Sequence, residues 1–264
     1  MKELRLFQVD AFATEVFRGN PAAVCPLETW LDNTTLQRIA QENNLAETAF
    51  FVPREDEFHI RWFTPRYEVD LCGHATLASG FVILTELEKE RQSVQFESRS
   101  GPLGVGRNGE LLTMDFPAWR LKPCEDPPAA LLEGLGKQPK EVLFVDPGRN
   151  YFAVYGSETE VLDLRPNFAL LEGLHPHGVI VTAPGDTSDC ASRYFAPSYG
   201  IPEDPVTGSI HSALIPFWAK RLNKKQIHAR QVSERGGELF CEDNGDRVNI
   251  SGRAVKYLEG KIYV

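Results

Sequence analysis

The chain is written twice. Arg61-Trp62-Phe63-Thr64-Pro65 returns 132 residues later as Arg193-Tyr194-Phe195-Ala196-Pro197. Gly73-His74 opens a strongly apolar run, and Gly208-Ser209 opens another 135 residues on. Asn108-Gly109 lies between two strand patterns, and Asn244-Gly245 does the same at an offset of 136. Chance can supply one such pair. Three pairs in the same order, in a chain of 264 residues, point to duplication of one unit. The period is far longer than those of solenoid repeats.

Each half reads alike. Glu57 to Phe63 alternates, with Phe58, Ile60 and Trp62 on one side, the mark of a half-buried strand. Val94 and Phe96 continue the pattern after the helix. Leu103 to Val105 and Leu111 to Phe116 make a hairpin about Asn108-Gly109, the pair that favours a type I′ turn. Leu239 to Cys241 and Val248 to Ile250 flank Asn244-Gly245 likewise. Short amphipathic helices are expected at Leu36-Ile39-Ala40 and, more weakly, at Phe168-Leu171-Leu174. Five prolines between Pro117 and Pro139 mark a connecting region, with a short helix near Ala129 to Leu135. The expected division is residues 1–118, a linker over 119–140, and residues 141–264.

The two apolar runs constrain the architecture further. Ala75 to Leu84 leaves almost no polar face before Glu86, nor does Ile210 to Trp218 before Lys220. A helix apolar all round is buried all round. With several strands per half to cover it, the simplest arrangement is a rolled, mostly antiparallel sheet about one central helix. The fold class is therefore α+β, with two pseudo-symmetric domains. Pro216 should kink the second helix or end it early.

Charge and cysteine usage exclude several functions. A net charge of -9 with no basic stripe argues against nucleic acid. No run of 18 apolar residues and no leader-like N-terminus is present, so neither a membrane span nor a secretion signal is expected. Five scattered cysteines suit free, mostly buried thiols and a cytoplasmic location. No metal-ligand spacing such as CxxC or HExxH occurs, so no metal is expected.

A buried helix must still find acceptors for its first amides. Glycine at Gly73 and Gly208 lets another group approach the backbone, and two such helix starts facing one another would hold an anion such as a carboxylate. Internal capping, by Ser209 or a nearby carboxylate, is the competing reading. Proton chemistry beside that anion needs a titratable group. Glu47, in Leu45-Ala46-Glu47-Thr48-Ala49-Phe50-Phe51, stands where a helix ends and an apolar strand begins. Burial of a carboxyl there would suit it to exchanging protons near neutrality. Asp204 precedes the second helix, where capping, substrate binding and polarising His74 all fit its position. His211 reads as a packed core histidine, and Cys72 as a buried thiol or a thiolate base at a helix start.

The strings VDAFATEVFRGNPAAVC, LAETAFF, RWFTPRYEVDLCGHATLAS and YFAPSYGIPEDPVTGSIHS resemble the phenazine-biosynthesis isomerase family and its phenazine-biosynthesis-like relatives, which share the fold of diaminopimelate epimerase. The resemblance spans nearly the whole chain in order. It implies two similar domains with the site between them, a homodimer, and catalysis without metal or organic cofactor on a small carboxylate. It further implies that Glu47 is the acid/base, that Gly73, His74, Gly208 and Ser209 hold the substrate carboxylate, and that Asp204 and His74 meet its other heteroatoms. The epimerases carry a thiol before each central helix. Here Cys72 fills the first place and Pro205-Val206 offers no second, which disfavours stereoinversion and favours a proton shift on one face. A non-catalytic binding protein of the same fold and a Cys72-dependent epimerase or racemase are the alternatives.

Overall fold

The computed structural model describes residues 1–146 and 150–264. It is a sheet-dominated α+β protein, as the patterning predicts. By density of contacts the chain forms two compact units: Met1–Asp115 with Ser251–Val264, and Phe116–Ile250.

The first unit opens with β1 (Glu3–Ala11) and β2 (Asn20–Pro26), an antiparallel pair. Helix α1 (Asn33–Asn43) follows, started by the Asp32 side chain accepting from the Thr35 amide and closed by Asn44 in the left-handed region. It returns the chain to β3 (Glu47–Arg54), which runs parallel to β2 and antiparallel to β4 (Glu57–Phe63). After the short β5 (Glu68–Val69) comes the central helix α2 (Gly73–Val82), of which only Phe81, among residues 73–82, is not buried. It packs on β1, β2 and β3, and on β7 of the hairpin below. Strand β6 (Ser93–Ser98) runs parallel to β4, bringing Phe96 against Phe51 and Phe58 in one aromatic cluster. Strands β7 (Gly101–Asn108) and β8 (Leu111–Pro117) form the expected hairpin.

The turn differs from expectation by one residue. Asn108 pairs with Leu111, so the two loop residues are Gly109 and Glu110 rather than Asn108 and Gly109. Only Gly109 has positive φ, at 62°, so this is not a type I′ turn. In the second half Asn244 donates to the Arg247 carbonyl at 2.9 Å, and Gly245 has φ 83°. The two turns are therefore equivalent residue for residue.

The second unit begins with β9 (Arg120–Pro123) and α3 (Ala129–Leu135), where the sequence predicts a short helix. Strand β10 (Glu141–Asp146) pairs with β9 and with β11 (Asn150–Val154). Short helices α4 (Glu158–Leu162) and α5 (Phe168–Glu172) lead to β12 (Gly178–Pro184), parallel to β11 as β3 is to β2. Then come β13 (Cys190–Ala196), β14 (Ile201–Asp204), the second central helix α6 (His211–Leu222), β15 (Gln226–Gln231), β16 (Gly237–Asp243) and β17 (Arg247–Gly252). The final strand, β18 (Ala254–Tyr263), pairs antiparallel with β1 from Glu3 to Ala11 and packs on α2. The sequence pattern carries the second half on to residue 264, whereas this strand joins the first unit.

The recurring Arg-aromatic-Phe string has a physical cause. Arg61 forms two bonds to Glu68, at 2.7 and 2.8 Å, tying β4 to β5. Arg193 does the same with Glu203, at 2.7 and 2.8 Å, tying β13 to β14. Each guanidinium also lies over the phenylalanine two residues on, at 5.0 Å from Phe63 and 4.9 Å from Phe195. A bidentate fork and a stacked ring need arginine, which lysine cannot replace.

Helix α6 departs from the expected start. Gly208, Ser209 and Ile210 form a tight turn, with His211 donating to Gly208 and Ser212 to Ser209, and the α-helix begins at His211. The helix runs through Pro216 rather than ending there. Proline has no amide for the carbonyl of Ser212, and the Trp119 amide takes that carbonyl instead, at 2.8 Å.

Gly19 fixes the approach to β2. Its φ is 65°, and an added Cβ would sit 2.1 Å from the Ala11 carbonyl oxygen. Left-handed strain and a backbone clash together should cost roughly 2–5 kcal/mol in Gly19→Ala. Urea denaturation reads this directly, and an unshifted midpoint would show that the loop relaxes freely.

Candidate active site

Two parallel strands and one helix start assemble the first unit's polar cluster. Asn20 opens β2, Glu47 opens β3 beside Ala22, and Cys72 and His74 bracket the first residue of α2. Asn20 is fully buried, and Glu47, Cys72 and His74 are nearly so. His74 Nε2 lies 3.2 Å from Glu47 Oε2, without the alignment of a completed hydrogen bond. Such contacts often tighten only when substrate arrives.

The far side of the ring decides its tautomer. Asn20 Nδ2 is 3.2 Å from His74 Nδ1, and Cys72 Sγ is 3.5 Å from the same nitrogen. With the amide donating, Nδ1 accepts and the ring proton sits on Nε2, facing Glu47. Burial pushes the His74 pKa down to about 3, so the ring is neutral at pH 7. The cluster is thus a carboxyl with a neutral imidazole donor beside it. Asn20 was absent from the sequence-derived site, although it lies in the GNPAAV string. An asparagine opening a strand behind a left-handed glycine was the available signal.

Asn20→Asp places a carboxylate against Nδ1 and should raise the His74 pKa, read as a ¹⁵N imidazole titration by NMR. An unchanged titration would remove Asn20 from the groups that set the ring.

Helix α2 has no side-chain cap at its N-terminus. Thr76 Oγ1 bonds back to the Cys72 carbonyl at 2.5 Å, and the Thr76 amide reaches the same oxygen at 3.1 Å. In the second unit His211, offset 135 from Thr76, donates from Nδ1 to the Thr207 carbonyl at 2.8 Å. His211 is fully buried, as a core histidine should be, and burial lowers its pKa to about 4. Helix α6 likewise has no side-chain cap, so the internal cap by Ser209 is not formed.

Asp204 ends β14, buried, and accepts a hydrogen bond from Thr207 Oγ1. Its carbonyl accepts from Gln231 Nε2 at 2.7 Å, while Gln231 Oε1 accepts from the Thr207 amide at 2.8 Å. Asp204 thus braces the turn that carries Gly208 and Ser209. The six sequence-derived residues fall into two groups: Glu47, Gly73 and His74 in the first unit, Asp204, Gly208 and Ser209 in the second. The duplication does not extend to the carboxyl. Where Glu47 opens β3, Gly178 opens β12. All five cysteines are free, and only Cys124 is not buried.

Comparison with known proteins gives the family of the chain and the likeness of its fold. Residues 9–260 match the family described as phenazine biosynthesis-like protein. An uncharacterized isomerase of Pseudomonas aeruginosa is 50% identical over 262 residues, covering 99% of this chain and 100% of that protein. A crystal structure of a phenazine biosynthesis protein of the PhzF family from Enterococcus faecalis superposes with a TM-score of 0.95 at 44% identity, over 100% of both chains. A hydroxyproline epimerase from Agrobacterium vitis shares the fold, with a TM-score of 0.64 at 12% identity over 98% of this chain and 92% of that one. By the match across its length and the likeness of these relatives, the chain belongs to the phenazine biosynthesis-like protein family.

Proposed function

We propose that the protein is an isomerase that relocates one proton on a small carboxylate, with Glu47 as its single acid/base and without metal or organic cofactor. The observation that carries this reading is the buried Glu47 carboxyl, 3.2 Å from a neutral His74 at the start of a buried, uncapped helix. The isomerase name borne by relatives at 50 and 48% identity supports the reaction class.

Glu47 takes a proton from one carbon of the substrate. The electron pair moves into an adjoining π system, and Glu47 returns the proton at a second carbon, so atoms and charge balance. His74 Nε2–H donates to the developing negative charge while remaining neutral. Gly73 and His74 in the first unit, and Gly208 and Ser209 in the second, are assigned to the substrate carboxylate, and Asp204 to a polar substituent. The motif resemblance and the uncapped helix starts support these roles.

Thr207 stands at the repeat position of Cys72, offset by 135, and its hydroxyl is committed to Asp204. A second base is therefore missing from that position, which supports proton return on one face. The proton held on Glu47 exchanges with solvent before its return in part of the turnovers, so incubation with candidate carboxylates in D₂O should give deuterium at the new carbon, with configuration kept in recovered substrate. Recovered substrate of both configurations would favour the Cys72 epimerase. Tight binding without exchange on any acid would favour a binding protein. The reading extends to a homodimer in the cytoplasm, and light scattering at the 29.6 kDa of one chain would overturn the dimer.

A further inference from the structure

Cys72 has no part in a one-carboxylate mechanism, yet its thiol lies within the same cluster. One ligand atom each of Glu47, Cys72 and His74 all fall within 4.8 Å of one another, and all three residues are buried or nearly so. Cys72 Sγ and His74 Nδ1 are 3.5 Å apart. For Zn–S near 2.3 Å and Zn–N near 2.0–2.1 Å, a tetrahedral site separates S and N by about 3.5 Å. A carboxylate and a thiolate together cancel the double charge of the ion, which a buried site requires. Sulfur and imidazole select borderline and soft cations over Mg²⁺ and Ca²⁺. The ligands come from a strand start and a helix start, so no spacing in the sequence announces them.

We propose that Glu47, Cys72 and His74 form a three-ligand site for a thiophilic divalent cation of the Zn²⁺ class. The ion sits between Sγ and Nδ1, displacing the Asn20 amide, and Glu47 completes the set by swinging its carboxyl from the Nε2 edge of the ring, where it lies 3.2 Å away, across to the Nδ1 edge. The Cys72 thiol gives its proton to solvent as the sulfur–metal bond forms, and nothing is oxidised or reduced. A fourth position stays open to water. Because the ion takes the Glu47 carboxyl, its binding stops the proposed proton transfer. That consequence rests on the functional reading above, while binding itself does not.

Cd²⁺ serves as the probe, titrated into the whole protein without substrate. One equivalent should produce the ultraviolet thiolate-to-metal absorption, release one proton, and protect Cys72 from alkylation as mapped by mass spectrometry. Glu47→Gln should weaken the ion at least tenfold, and Mg²⁺ should produce none of these signals. Absence of the band at one equivalent, or protection of Cys124 in place of Cys72, would overturn the site, and the alkylation map needs no variant to fold. A protein that exchanges no carboxylate proton yet gives the Cd²⁺ band refutes the isomerase reading and leaves the cation site standing.

Discussion

Glu47→Gln will lower the rate of deuterium incorporation by about 10²–10⁴-fold, the usual contribution of one positioned acid/base group. The amide is nearly isosteric, and its carbonyl oxygen can still face the His74 Nε2–H, so the cluster should keep its shape. Folding should therefore be unaffected, which far-ultraviolet circular dichroism and a thermal melt will verify. Glu47→Asp keeps the chemistry but draws the carboxyl back by one methylene from a contact of 3.2 Å. It should fall between the wild type and the amide, because proton transfer is sensitive to misplacement near 1 Å. A Gln variant within about threefold of the wild type would end the assignment, since even a weak acid/base role exceeds that.

The second large effect is on stability in mild acid. His211 is fully buried, with Nδ1 given to the Thr207 carbonyl, and its pKa is pushed down to about 4. The unfolded chain protonates the same group near 6.5. Between those values the unfolded state carries the extra proton, so stability is fully present above about pH 6.5 and is lost as the pH falls towards 4. The loss is about 1.4 kcal/mol per pH unit, or about 3 kcal/mol over the window. His74, pushed down to about 3 by burial, acts in the same direction and extends the window lower. Urea unfolding at several pH values between 4 and 7 reads the slope, and His211→Gln should remove close to half of it. A slope unchanged by that substitution would mean that His211 takes up its proton in the folded state.

Much of the fold was legible because duplication writes its constraints twice. The Arg61 and Arg193 strings recur because each arginine ties two strands and covers a phenylalanine, a geometry that tolerates no other residue. The central helices were visible from their missing polar faces, and α3 from its place among prolines. The turn lies one position later than the Asn-Gly pair predicts, because that pair names a favoured turn without saying whether the strand ends before or after the asparagine. The true start of α6 was hidden because the turn over Gly208 to Ile210 leaves no mark in hydrophobic period. Continuation through Pro216 depended on a distant donor, the Trp119 amide, which local propensity does not contain.

The site was legible in its chemistry and incomplete in its neighbours. Glu47 stood out as a carboxylate entering an apolar strand, and the fold sets it against His74. Asn20 did not stand out, because its role depends on β2 and β3 starting side by side, a pairing between residues 20 and 47 that no periodicity encodes. Cys72 was readable only as a bystander or a base, since its nearness to two other donors is a property of the assembled cluster.

The pairing of β18 with β1 sets an order of events during synthesis. Strand β1 is made before the whole of the second unit, while β18, one of its two partners, is made only after it. At about 5–20 residues per second that wait lasts on the order of ten seconds, during which the newborn edge is open to mispairing with another nascent copy. Chaperone demand should therefore peak before β18 emerges, and chains stalled ahead of Ala254 should aggregate where chains that include β18 do not.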